Sequence, residues 1–191
     1  AEKRATSVYL VDRTIPMLPE HLCNGICSLR PNEEKLAYSC IFEMDDEANI
    51  LDHRIRKTVI LSDRRFTSEE DQQIIETKEG DFKDEVLALD SLAKKLRKRR
   101  FDNGSVAFDR VEVRFEIDDK GHPIKVFFKE SKDANKLVEE FMLLANKQVA
   151  TAIGKPGDKK KAKPFVYRIH DNPDPDKLSN FAEIASRFGY K

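Results

Sequence analysis

The residues with the clearest chemical potential lie on one flank of a helix that the sequence predicts over residues 131–153. At about 100° of rotation per residue, Asn135, Glu139 and Asn146 fall within about 40° of each other beside the apolar face. Glu140 is then expected to point nearly opposite the core. A carboxylate between two amides can anchor a ribose or an ordered water molecule. The polar border of an ordinary amphipathic helix has the same pattern, so both interpretations stay open.

Two aromatic residues suggest a second kind of chemistry, stacking on nucleic-acid bases. Tyr9 lies in a strand predicted over residues 6–11, and Phe108 lies in another predicted over residues 106–117. Because every base has a π-face, aromatic rings in a groove can hold a single strand without reading its sequence. Packing in a core is the ordinary role of an isolated Phe, so these two residues alone assign no function.

Other arrangements that carry chemistry are not found in the sequence. The four histidines lack the spacing of metal ligands, and neither a catalytic Ser/His/Asp order nor a phosphate-binding loop occurs. Three adjacent acids, Asp45, Asp46 and Glu47, do not converge on one ion, so we expect a solvated turn and no metal site. The 35 basic and 35 acidic residues cancel, so any contact with nucleic acid must come from a local patch.

The elements that must position these side chains are hairpins and helices. Alternating apolar residues predict strands over residues 6–11, 35–43, 50–61, 106–117, 124–128 and 165–169, of which the middle four form two hairpins. Helices are predicted over residues 67–76, 83–99 and 131–153, with a final helix that ends at Phe188. The first of these helices starts with a capping box, Thr67 with Glu70. This mixture predicts an α+β fold, a mixed sheet with hairpins flanked by helices.

A basic run closes the second predicted helix, from Lys94 to Arg100. Cations at a helix C-terminus interact favourably with the macrodipole, which favours a structural role for the run. A patch that faces RNA is the alternative.

Hydropathy places the chain away from membranes. No apolar run reaches the ~18 residues that a membrane span needs, and no signal-peptide core is found. We therefore expect a cytoplasmic protein without a membrane partner. The opening A-E-K-R runs directly into a strand-like segment, and the chain stops just after a helix, so we expect both ends to lie inside a domain.

Five sequence blocks follow one another in a diagnostic order. They are T-S-V-Y-L-V-D-R-T-I-P-M-L-P-E from Thr6, L-C-N-G-I-C-S-L from Leu22, G-S-V-A-F-D from Gly104, L-V-E-E-F-M-L-L-A-N from Leu137 and P-F-V-Y-R-I-H from Pro164. Together they resemble signatures of the ribonuclease II/ribonuclease R (RNB) family of exoribonucleases, and ribonuclease R more than ribonuclease II. The resemblance spans nearly the whole chain and implies that residues 1–191 are part of an RNB catalytic domain.

The resemblance implies a mechanism and roles for particular residues. RNB catalytic domains are α+β and thread single-stranded RNA from its 3′ end, and their processive, magnesium-dependent hydrolysis releases nucleoside 5′-monophosphates. Tyr9 corresponds to the tyrosine beside the scissile nucleotide, and Phe108 to the aromatic residue that stacks on the 3′-terminal bases. Glu139 corresponds to the glutamate that contacts the last nucleotide, so Tyr9 and Glu139 are the candidate catalytic residues. Arg168 and His170, in the last block, are further candidates for RNA binding.

The sequence departs from the family pattern near both ends. The family's aspartate cluster, which holds magnesium and activates water, is expected upstream of Thr6, and a catalytic arginine motif downstream of Lys191. We therefore expect these 191 residues alone to bind no Mg²⁺, to be inactive as a nuclease and to self-associate through exposed apolar surface.

Alternative functions remain open from the sequence. The blocks favour part of an active exoribonuclease. A catalytically dead RNB homologue that binds RNA or a protein partner would carry the same blocks. An unrelated α+β interaction domain is a third and weaker interpretation.

Overall fold

The computed structural model describes residues 3–107, 111–155, 157 and 162–190. The chain divides into two compact units, Ala1–Val149 and Ala150–Lys191. Within the described ranges, no helix is both long enough and apolar enough to cross a lipid bilayer.

The strands of the described residues form three antiparallel hairpins. The pairs are β1 (Val8–Tyr9) with β2 (Thr14–Ile15), β3 (Glu34–Met44) with β4 (Ile50–Leu61), and β5 (Glu112–Ile117) with β6 (Pro123–Lys129). The predicted α+β class is confirmed. The strands are distributed over three small sheets instead of one mixed sheet, because each strand pairs with its neighbour along the chain.

The hairpin of β3 and β4 is the longest, and its boundaries agree with the sequence prediction to within one residue. In its turn, the Asp45 carboxylate accepts hydrogen bonds from the side-chain amide and the backbone N–H of Asn49, both at 2.8 Å. These two bonds are the main reason that the pKa of Asp45 is lowered. Ala48 adopts a positive φ of 60° and is buried in the turn. The acidic turn is therefore a structural element.

The described residues also form four α-helices. They are α1 (Ser68–Thr77), α2 (Lys83–Asp102), α3 (Asp133–Gly154) and α4 (Pro175–Arg187), and a short π-helical segment that the sequence did not predict spans His21–Ile26. The predicted capping box is present at α1. The Thr67 hydroxyl accepts from the Glu70 backbone N–H at 3.2 Å, and the Glu70 carboxylate accepts from the Thr67 N–H at 2.7 Å.

Removing this capping box is expected to loosen α1. Thr67→Ala should lower the free energy of opening α1 by about 1 kcal/mol, because the Glu70 N–H loses its acceptor. Amide hydrogen exchange of α1 in the full-length protein measures this effect as roughly fivefold faster exchange. Thr67→Ser keeps the hydroxyl and serves as the control. Equal exchange rates in the Ala and Ser variants would contradict a stabilising cap.

The basic run at the end of α2 holds the fold together. Lys95 Nζ lies 2.9 Å from the Glu47 carboxylate, and Arg99 donates to the Glu47 carbonyl and to Asn49 Oδ1. Lys98 pairs with Asp102 within the helix at 2.7 Å. Each Lys and Arg between positions 94 and 100 has a partner of this kind. These contacts support the structural interpretation of the run.

The second unit contains α4 and an extended segment in place of the predicted strand over residues 165–169, so that prediction is wrong. No described residue pairs with this segment as a strand. The rings of Phe165 and Tyr167 meet edge to face with their centroids 5.1 Å apart. The Tyr167 hydroxyl occupies the space that a Cβ on Gly154 would need. Aromatic packing at the end of α3 therefore replaces the ladder of backbone hydrogen bonds that a strand requires.

Candidate functional site

Helix α1 holds the N-terminal end of α3. The Gln72 side chain accepts a hydrogen bond from the Ala134 N–H at 3.1 Å, and the Asn135 amide donates to the Ser68 hydroxyl at 3.3 Å. Asn135, one of the three polar residues on the predicted flank, therefore serves helix packing. Asn146, at the other end of that flank, is exposed.

An ion-pair cluster joins the end of α2 to the middle of α3. Glu140 is 3% exposed, and Arg100 Nε donates to its two carboxylate oxygens at 3.1 and 3.2 Å. Arg100 Nη2 donates to Glu140 Oε1 at 2.5 Å and to Glu139 Oε1 at 3.1 Å. Arg97 lies 3.7 Å from Glu140 Oε1. The hydrogen bonds to Glu140, followed by the charges of both glutamates, raise the pKa of Arg100.

The expectation that Glu140 points away from the core is wrong. The buried residues of α3 are Ala134 and Glu140, whereas the apolar side chains of Val138 and Met142 on the same helix are 49% and 60% exposed. The cause is the neighbouring helix, since α2 presents Arg100 to this side of α3. A carboxylate can be buried when a guanidinium satisfies it with several charged hydrogen bonds.

Glu139 lies beside this cluster and lines an open pocket of about 450 Å³. Its side chain is about half exposed. The hydrogen bond from Arg100 uses Oε1 of this carboxylate. Lys136, one turn before Glu139 on α3, also lines the pocket. A carboxylate at the wall of a pocket can accept a hydrogen bond from a ligand hydroxyl.

Phe108 lies outside the described residues. Ala107 and Val111, which flank its segment, line the same pocket as Glu139. The structure thus brings the two ends of the segment that carries Phe108 to the Glu139 pocket. The stacking role of Phe108 itself stays a prediction.

Tyr9 is displayed on the short hairpin of β1 and β2. Its side chain is 79% exposed. The hairpin is closed by a hydrogen bond from the Leu10 N–H to the Arg13 carbonyl at 2.8 Å, and the Met17 N–H donates to Ser7 Oγ at 3.0 Å. An exposed ring on a tight hairpin is available for stacking. Tyr9 does not line the Glu139 pocket.

Arg168 and His170 lie in the extended segment of the second unit, where both are exposed. Tyr9 and Glu139 belong to the first unit. The contacts with RNA that are proposed for Arg168 and His170 therefore stay predictions.

The donor set of the described residues does not fit a magnesium site. Within residues 3–107, 111–155, 157 and 162–190, no group of three or more His, Cys, Asp or Glu side chains could hold a metal ion. Asp45 bonds Asn49 and Glu47 pairs with Lys95, so the acidic turn is committed to the fold. Mg²⁺ requires oxygen ligands in near-octahedral geometry, which these side chains do not offer.

Comparison with known protein families decides the relationship of the chain. The model of the RNB domain matches residues 1–190. The chain belongs to the RNB family. Ribonuclease R 1 of Lactococcus lactis is 36% identical over 198 residues, covering 99% of this chain and 23% of that protein. Ribonuclease R of Aquifex aeolicus is 34% identical, covering 100% of this chain and 27% of that protein. The RNB chain thus spans about a quarter of the length of these relatives.

Solved structures give the same relationship. Mycoplasma genitalium RNase R in complex with ribose methylated single-stranded RNA matches with a TM-score of 0.80 at 25% identity, over 98% of this chain and 29% of that chain. The same enzyme in complex with double-stranded RNA gives a TM-score of 0.82 at 27% identity, over 96% of this chain and 33% of that chain. The RNB family resemblance is therefore confirmed in sequence and in fold.

Sequence reasoning missed the role of Arg100 and Glu140 in this RNB chain. The two residues are 40 positions apart, and helical periodicity assigned one to a helix terminus and the other to solvent. The available signal was an acidic pair, Glu139 and Glu140, on a long helix that a cationic helix precedes. That signal does not specify which acid faces which cation.

Proposed function

We propose that the full-length RNB protein is a processive 3′→5′ exoribonuclease that hydrolyses single-stranded RNA to nucleoside 5′-monophosphates. The observation that carries the proposal is 36% identity to a ribonuclease R along 99% of the chain. The matched RNase R structure in complex with single-stranded RNA supports RNA as the ligand class.

Within that function, Glu139 receives the 3′ end of the RNA. Its Oε2 accepts a hydrogen bond from a ribose hydroxyl of the last nucleotide, while Arg100 holds Oε1. Phe108 stacks on the terminal bases, and Tyr9 lies beside the scissile nucleotide. Arg168 and His170 contact the RNA from the second unit. The position of Glu139 at the pocket and the exposure of Tyr9 support these assignments.

The metal and the cellular setting belong to the same proposal. A bound magnesium ion would supply Lewis-acid chemistry at the phosphate and activate water. We assign its ligands to carboxylates outside residues 1–191. The protein acts in the cytoplasm, and the chain expressed alone self-associates through exposed apolar side chains such as Val138 and Met142.

The aromatic residues test the proposal directly. In the full-length protein, Phe108→Ala should weaken binding of a single-stranded 3′ end by about 1–3 kcal/mol, or roughly 5- to 150-fold, because one stack is lost. Tyr9→Ala should leave longer end products with metal binding intact, because the last nucleotides are no longer held at the scissile position. Fluorescence anisotropy measures the affinity, and denaturing gels measure the length of the end products.

Tyr38→Ala is the matched control, since Tyr38 is an exposed aromatic residue on β3 outside the proposed site. Affinity and product length should stay at wild-type values in this variant. If both site variants also behave as wild type, the assigned roles are wrong. If the wild-type protein binds RNA and never shortens it, the protein is a catalytically dead RNB homologue.

A further inference from the structure

We propose that Arg100, fixed by the buried Glu140, is a positioning residue that orients the Glu139 carboxylate toward the pocket. The inference rests on the proposed function, because it concerns how Glu139 meets the 3′ end of RNA. Arg100 itself is not assigned a contact with RNA.

Arg100 is held in place by the buried Glu140. Glu140 is almost completely buried and receives three hydrogen bonds from Arg100, through Nε and Nη2. Charged, bidentate contacts of this kind fix the plane of a guanidinium group. The bond from Nη2 to Glu139 Oε1 at 3.1 Å therefore starts from an atom whose position is already set.

Without the bond from Arg100, the Glu139 side chain would be mobile. A half-exposed glutamate has three rotatable side-chain bonds and samples several rotamers in water. An ordinary surface ion pair restrains such a side chain poorly, because both partners move. Since Arg100 is held from the buried side, it selects the Glu139 rotamers in which Oε1 faces α2 and the carboxylate stays at the pocket wall. Support of this kind behind a binding residue reduces the cost of ordering it when the ligand arrives.

The contacts of Arg100 include one that packing alone does not require. A buried ion pair that serves packing alone is replaceable by apolar side chains of similar volume at little cost in stability. Here Nη2 of Arg100 also donates to Glu139, which lies at the pocket wall outside the buried pair. Lysine at position 100 would keep the charge beside Glu140 and lose the planar fork that serves both acids.

A double-mutant cycle tests the proposal in the full-length protein, with single-stranded RNA that ends in a free 3′ hydroxyl. Glu139→Gln alone should raise KM roughly tenfold, the loss expected for one hydrogen bond to a carboxylate. The apolar pair Arg100→Met with Glu140→Met should fold and raise KM by roughly three- to tenfold. The triple variant should raise KM no further than Glu139→Gln alone, because Arg100 acts only through Glu139.

Two further variants complete the design. Lys98→Met removes an exposed cation from the same helix and should leave KM unchanged, which excludes a general loss of positive charge. Arg100→Lys should fold and reproduce most of the KM effect of the apolar pair. If the apolar pair does not fold, Arg100→Lys takes its place in the cycle.

The possible results of this cycle distinguish the positioning role of Arg100 from the proposed function of the protein. Effects of Arg100 and Glu139 that multiply in the triple variant would show independent roles and overturn the positioning proposal, with the proposed function intact. No effect of Glu139→Gln would refute both the role of Glu139 and its positioning. If wild-type protein binds RNA without hydrolysis, the proposed activity fails, and the same cycle on the Kd for RNA decides the positioning role.

Discussion

Glu140→Ala will destabilise α3 by about 3–5 kcal/mol, the largest stability effect that we expect for a single substitution in this chain. Glu140 is buried, and its loss leaves the Arg100 guanidinium without the carboxylate that satisfies it. Glu139→Ala will cost less than about 1 kcal/mol, because its ion pair with Arg100 is half-exposed and screened by water. Substitutions at these two adjacent glutamates therefore differ in their effect on stability, because Glu140 faces α2 and Glu139 faces the pocket.

Amide hydrogen exchange of α3 in the full-length protein measures this difference in stability. Turnover of RNA measures the effect of the same two substitutions on activity. Turnover per folded molecule should fall more in Glu139→Ala than in Glu140→Ala, the reverse of the order for stability. Glu140→Gln is the control, since it keeps the volume and hydrogen-bonding oxygen of the side chain and removes the charge. Similar exchange rates of α3 in Glu139→Ala and Glu140→Ala would contradict the burial of Glu140 in the working protein.

Local signals in the sequence were sufficient for most elements of the fold. The hairpin of β3 and β4 and the capping box of α1 were predicted because strand alternation and a cap involve residues that are close along the chain. The predicted strand over residues 165–169 does not form, because a strand needs a partner that its own sequence does not specify. In its place, Tyr167 packs at the end of α3.

The candidate site was only partly predictable, for the same physical reason. Family resemblance and helix geometry both selected Glu139, and the structure places it at a pocket. The orientation of α3 depends on α2. Arg100 of α2 bonds Glu140 of α3, which lies 40 residues further along the chain. A buried carboxylate is favourable only when a partner such as a guanidinium satisfies it. The periodicity of apolar residues does not reveal that partner, and it therefore assigned Glu140 to the solvent.

The 191-residue chain alone is expected to have no nuclease activity, so it should not shorten RNA in the presence of Mg²⁺. Two-metal hydrolysis needs several carboxylates that converge on ions about 3.5–4 Å apart, and a single carboxylate holds Mg²⁺ weakly. Within the part of the chain that the structure describes, no such group of acids occurs, and Glu139 is already bonded to Arg100.

The decisive assay incubates the purified chain with 5′-labelled single-stranded RNA and Mg²⁺, beside the full-length protein at equal concentration. Circular dichroism establishes that the chain is folded, and size-exclusion chromatography reports its self-association. The full-length protein should produce a ladder of products shortened from the 3′ end, and the chain should leave the RNA intact. Stepwise shortening by the chain alone, abolished by a chelator, would place the catalytic carboxylates within these 191 residues.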